Sequence, residues 1–98
     1  MLNKKSGKMQ ETNEETIMEF PCQFPVKAMG IAEEGFDILV VSIVRKHAPD
    51  LSENAVKSRL SQEGKYISIT VNVEAQSKRQ LDNIYLELTA HEKVLWAL

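Results

Sequence analysis

Three side chains in this chain have the chemistry of a nucleophile, a base or a soft metal ligand: Cys22, His47 and His91. A cysteine next to a histidine gives an activated thiolate, and a thiolate with two imidazoles begins a metal site, but both require the groups to be brought together. The three are far apart in sequence, whereas structural metal sites draw on closely spaced ligand pairs. Cys22 reads more simply as a small buried thiol between Pro21 and Pro25, since free cysteine is among the most buried residue types. His47 reads as a cation completing the negative end of a helix, and His91 as a loop residue. The expectation is therefore no catalytic residue, no metal, no cofactor and no enzymatic activity.

A second constellation is Gly30-Ile-Ala-Glu-Glu-Gly35, with Lys27 and Met29 leading into it. Glycines beside a helix start let a ligand approach the backbone closely. Glu33 and Glu34 would favour an amine over a phosphate there, because carboxylates compete with any anion for the positive end of a helix. Their simpler role is to balance that helix dipole. Lys27, Met29, Gly30, Glu33, Glu34 and Gly35 form the first candidate site, for a small metabolite.

The elements that must position these residues follow from periodicity. Over Ala32–His47, Phe36, Leu39, Val40, Ile43 and Val44 fall on one helical face, with Arg45, Lys46 and His47 at the end and Pro49 as the stop. Ala55–Gln62 reads as a strand and Glu63-Gly64-Lys65 as a turn. Tyr66–Ala75 alternates cleanly: Ile67, Ile69, Val71 and Val73 point one way, and Tyr66, Ser68, Thr70 and Asn72 the other. Ser77 with Gln80 resembles a capping box ahead of a second helix carrying Leu81, Ile84, Tyr85 and Leu88. Lys93–Leu98 is apolar enough to be a last strand. Because proline cannot donate to a ladder, Pro21 and Pro25 are expected outside the first strand, which then begins near Val26. Phe20 and Phe24 would pin that arm to the edge of the core.

The order strand, helix, strand, strand, helix, strand predicts an α+β fold, a ferredoxin-like βαββαβ two-layer sandwich with a four-stranded antiparallel sheet and both helices on one face. Residues 1–16 read as a disordered polar tail and 17–98 as the single domain. Alternation puts Val26, Ala28, Gly30, Val56, Leu60, Ile67, Ile69, Val71, Val73, Val94, Trp96 and Leu98 toward the helices. The open face receives Lys27, Met29, Lys57, Arg59, Tyr66, Ser68, Thr70, Asn72 and Leu95. Lys57, Arg59, Tyr66, Ser68 and Thr70 make the second candidate site, an interaction surface.

Composition narrows the partners. A net charge of -2 provides no global attraction to polyanions. Apolar runs such as Ile38–Val41 are far short of the roughly 20 residues of a membrane span. A single cysteine fits a reducing compartment. The cytoplasm is the expected location, with no membrane partner.

Phe20-Pro21, Phe24, Lys27 with Met29-Gly30, His47-Ala48-Pro49, Gly64-x-Tyr66-x-Ser68, Tyr85-x-x-Leu88 and the Val94–Leu98 terminus, taken in register, resemble the YbeD-like family of small bacterial proteins of unknown function. The resemblance covers about residues 19–98. It implies a ferredoxin-like fold similar to ACT domains, and with it a regulatory or ligand-binding module; it supplies no catalytic residues.

Other chemistries hosted by such folds fit poorly. Acyl-phosphate cleavage needs an arginine in the loop after the first strand, where this chain has Glu33 and Glu34. Metal carriers need two cysteines there. RNA binding needs two or three aromatics on the open sheet, and only Tyr66 is expected there, so nucleic acid is disfavoured. Two readings remain: a small-metabolite module, and a protein-interaction element acting through the open face or the edge strand Lys93–Leu98, with a homodimer as its simplest assembly.

Overall fold

The structure is a computed structural model that describes residues 18–98; the tail expected over 1–16 lies outside the described residues. The elements are β1 (Cys22–Ile31), α1 (Phe36–His47), a 3-10 turn (Glu53–Ala55), β2 (Val56–Leu60), β3 (Tyr66–Ala75), α2 (Lys78–Ala90) and β4 (Trp96–Ala97). The strands form one antiparallel sheet in the order β2-β3-β1-β4, with both helices packed on one side.

The alternating row of β3 sets the sidedness. Ile69, Val71 and Val73 are fully buried, and opposite them on β1 stand Ala28, Val26 and Phe24. Val40, Ile43 and Val44 from α1 and Leu81, Ile84 and Leu88 from α2 complete the core. Ser77 caps α2, accepting from the Gln80 N–H at 3.1 Å. The Gln80 side chain accepts from the Gln76 N–H at 2.7 Å and donates to the His47 carbonyl at 2.7 Å, joining the start of α2 to the end of α1.

Four local expectations are corrected. Pro25 lies inside β1, opposite Asn72, so the strand begins at Cys22. The ladder tolerates it because N–H groups alternate in direction along a strand. Lys27 bonds toward β4, donating to the Leu98 carbonyl at 2.9 Å and accepting at 2.8 Å, so Pro25, two residues earlier, presents its missing donor on that same side. The register of β4 with β1 does not extend there.

The first helix starts at Phe36 rather than Ala32. Gly35 precedes it with φ 92°, a left-handed conformation suited to glycine. Glu33 and Glu34 therefore stand outside the helix, and the acidic residue of its first turn is Asp37.

The last strand is two residues long and its faces are reversed from the expectation. Ala28 pairs with Ala97 and Met29 with Trp96, which puts Ala97 on the helix side and Trp96 on the open side. Leu98, hydrogen-bonded to Lys27, also takes the open side, and Leu95 does not join the open row. Finally, Leu60 shares the helix-side row with Ile67 but is 58% exposed, because β2 lies beyond the cover of the helices.

Candidate interaction surface

The uncovered face of the sheet collects side chains from all four strands into rows fixed by register. One row runs Leu98, Lys27, Thr70, Lys57 from β4 to β2; the next runs Trp96, Met29, Ser68, Arg59; a third pairs Ile31 with Tyr66. At about 4.8 Å between strands, each complete row spans roughly 14 Å. Trp96 is 39% exposed and Leu98 70%, while Met29, Tyr66, Ser68 and Thr70 are half-buried by their neighbours.

The electrostatics of this face are one-sided. Lys27, Lys57 and Arg59 are exposed, and among the described residues none is paired with a carboxylate. Its acid is Glu74, in the row with Gln23 at the far end of the strands. The Lys65 ammonium sits over the Tyr66 ring, 5.5 Å from its centroid, adding a fourth cation at the near end. A chain of net charge -2 thus carries a local cationic field on the open face of its sheet.

The residues of the first candidate site do not converge. Lys27 and Met29 point to the open face, whereas Gly30 faces the helices beneath Phe36. A Cβ at Gly30 would lie 2.4 Å from Phe36 Cε1 and 2.6 Å from the Lys93 carbonyl oxygen, so this glycine admits an aromatic ring. Glu33 accepts from Lys93 Nζ at 2.6 Å, tying the loop to the segment before β4, and its carboxylate holds the lysine pKa above the usual value. Glu33, Glu34, Gly35, His91 and Lys93 surround a hollow of about 230 Å³ on the helix side.

The groups first considered for catalysis are dispersed as well. His47 ends α1, with Nε2 2.9 Å from Glu87 Oε1, and Lys46 pairs with the same carboxylate. These hydrogen bonds, Lys46 first and His47 second, lower the Glu87 pKa. His91 follows α2 at the opposite end of the helix layer and accepts from the Lys93 N–H at 3.1 Å. Cys22 is partly buried at the start of β1. No group of three or more His, Cys, Asp or Glu side chains suited to a metal ion occurs among the described residues. Tyr85 packs edge-on against Phe24, ring centroids 6.5 Å apart, and burial raises its pKa.

Trp96 and Leu98 were missed by sequence reasoning. Both alternations of Val94–Leu98 place apolar residues on each side, so the pattern alone cannot choose between them. The chain bends between the buried Val94 and Trp96, and that bend resets the parity.

A βαββαβ two-layer sandwich with one bare, cationic sheet face is the class of protein defined by this geometry. The chain belongs to the family described as "Protein of unknown function (DUF493)", whose profile matches residues 15–98. It is 48% identical over 82 residues to a UPF0250 protein of Chromobacterium violaceum, covering 84% of this chain and 92% of that one. It is 42% identical over 85 residues to a UPF0250 protein of Neisseria gonorrhoeae, covering 87% and 93%. Neither relative bears an enzyme's name. The solution structure of protein HP0495 from H. pylori superimposes with a TM-score of 0.66 at 15% identity, over 94% of this chain and 97% of that one, and has the same fold. No helix among the described residues is long and apolar enough to cross a membrane.

Proposed function

We propose that this protein is an interaction module that docks the acidic surface of a protein partner onto its open sheet face, and regulates that partner by occupying it. The observation that carries this reading is the Trp96, Met29, Ser68, Arg59 row with Lys27 and Lys57 beside it. Tryptophan, tyrosine and arginine dominate binding hot spots, and methionine is enriched at interfaces. Unpaired cations around such anchors select an acidic surface and speed encounter. A nucleic acid would need aromatic faces on the central strands; β1 offers Met29 and Ile31 there, and the Tyr66 ring is covered by Lys65. The hollow beside Glu33 is smaller than the roughly 300–1,000 Å³ of ligand pockets, so a small-metabolite site at that loop has less support.

Affinity capture from a lysate with three immobilised proteins tests this: wild type, Lys27→Glu/Trp96→Ala, and Glu33→Gln/Glu34→Gln. One acidic protein should be retained by wild type and by the glutamine variant, and lost from the open-face variant. Retention by the open-face variant with loss from the glutamine variant would move the site to the loop.

A further inference from the structure

We infer that the outer edge of β2, with the groove between β2 and α1, is a second docking site, one that accepts an extended strand alternating acidic and apolar residues. The groove has a volume of about 790 Å³ and is floored by Ile38 and Val41 of α1 and Val56 of β2. Ile38 is 70% exposed and Leu60 58% exposed, an apolar flank left open because β2 lies outside the helix layer. Four charged side chains also line the groove: Arg45, which donates to the Leu51 carbonyl at 2.9 Å, Lys46, which pairs with Glu87, and Asp37 and Glu53.

The backbone of β2 is set up to receive a strand. The Ser61 N–H donates to the Tyr66 carbonyl at 2.8 Å, so Ser61, Arg59 and Lys57 direct their backbone groups at β3. Val56, Ser58 and Leu60 therefore aim theirs away from the sheet. Side chains alternate with these groups: Val56, Ser58 and Leu60 lie on the groove side, Lys57 and Arg59 on the open face. An added strand would thus meet apolar groups on one of its faces and two cations on the other.

Charge decides the occupant. A second copy pairing β2 antiparallel to β2, centred on Ser58 for full overlap, sets Lys57 directly opposite Arg59 of the other copy, twice. Like charges facing across a ladder are destabilising, and cations on an edge strand guard against self-pairing. A strand with glutamate or aspartate at those positions converts both repulsions to attractions, and its alternate apolar residues enter the groove. This site is argued independently of Trp96, and its test can fail without the open-face proposal failing.

The probe is a capped nine-residue peptide alternating glutamate and valine, compared with lysine–valine and glutamate–serine versions by amide NMR titration and hydrogen exchange. The glutamate–valine peptide should bind best, protect the Ser58 and Leu60 amides, and bind the Trp96→Ala variant equally well. Ser58→Pro removes an outward N–H while leaving the β3 ladder intact, and should weaken binding by about tenfold or more. Should that variant fail to fold, Lys57→Glu/Arg59→Glu decides: it should reverse the preference toward the lysine–valine peptide. Equal binding of the acidic and basic peptides, shifts centred on Trp96, or a free protein already dimeric with Ser58 protected would each overturn the inference.

Discussion

Gly30→Ala gives the sharpest test of why glycine stands at the end of β1. No left-handed backbone angle demands it, so alanine can adopt the strand geometry there and would by itself gain about 0.5–1 kcal/mol in backbone entropy. The added methyl, however, meets Phe36 Cε1 at 2.4 Å, Phe36 Cζ at 2.6 Å and the Lys93 carbonyl oxygen at 2.6 Å. The Phe36 ring is 2% exposed within the core. Lys93 lies in the segment that anchors β4, where the Leu95 N–H donates to the Met29 carbonyl at 2.8 Å. Neither neighbour can retreat freely. Overpacking costs about 1–3 kcal/mol, and two separate clashes place this case near the top. Subtracting the entropic gain leaves a net loss of about 2 kcal/mol, against a stability of roughly 4–12 kcal/mol for a domain of this size. Thermal unfolding should fall by about 8–16 °C, with an unchanged urea m-value. Phe36→Leu introduced into the alanine variant should cost less than in wild type, because it relieves the ring contacts while the carbonyl clash stays. A Gly30→Ala variant of wild-type stability would refute the packing account. If that variant also lost a metabolite response, the glycine would belong to a ligand site after all.

Two further outcomes follow from polar groups in the helix layer. Tyr85→Phe deletes a buried hydroxyl that has no hydrogen-bond partner among the described residues, and should raise stability by about 1 kcal/mol in urea titration; a loss of that size would mean that the hydroxyl is satisfied in solution. Glu87 has a depressed pKa in the fold, so the stability it contributes is complete above the ordinary glutamate range and is lost as pH falls through its folded value. The melting-temperature gap between wild type and Glu87→Gln should therefore close on acidification, and a gap that is flat with pH would show that the Lys46 and His47 contacts do not hold this carboxylate ionised.

The fold was legible wherever burial on one side imposes a period. Tyr66–Ala75 alternates because one face meets two helices and the other meets water, and its bounds match the sequence reading residue for residue. The faces of α1 and α2 were legible for the same reason, as was the Ser77 cap. Context decided the rest. Pro25 is permitted in β1 only because its missing N–H faces a side that β4 does not reach, a fact of topology and not of local sequence. Glu33 looked like a helix-start acid, yet the left-handed Gly35 delays the helix and Lys93, sixty positions later, takes the carboxylate. Of the candidate surface, Lys27, Met29, Lys57, Arg59, Tyr66, Ser68 and Thr70 were placed by parity alone. Trp96, its largest side chain, was not, because a bend in an apolar stretch leaves no polar residue to mark the change of face.

Lysine acetylation footprinting of the captured complex, read by mass spectrometry, addresses the central claim most directly. Lys27 and Lys57 lie on the open face, whereas Lys46 and Lys78 belong to the helices. Bound partner should protect Lys27 and Lys57 and leave Lys46 and Lys78 as reactive as in the free protein. Protection of Lys46 and Lys78, with Lys27 and Lys57 still labelled at the free rate, would contradict the account.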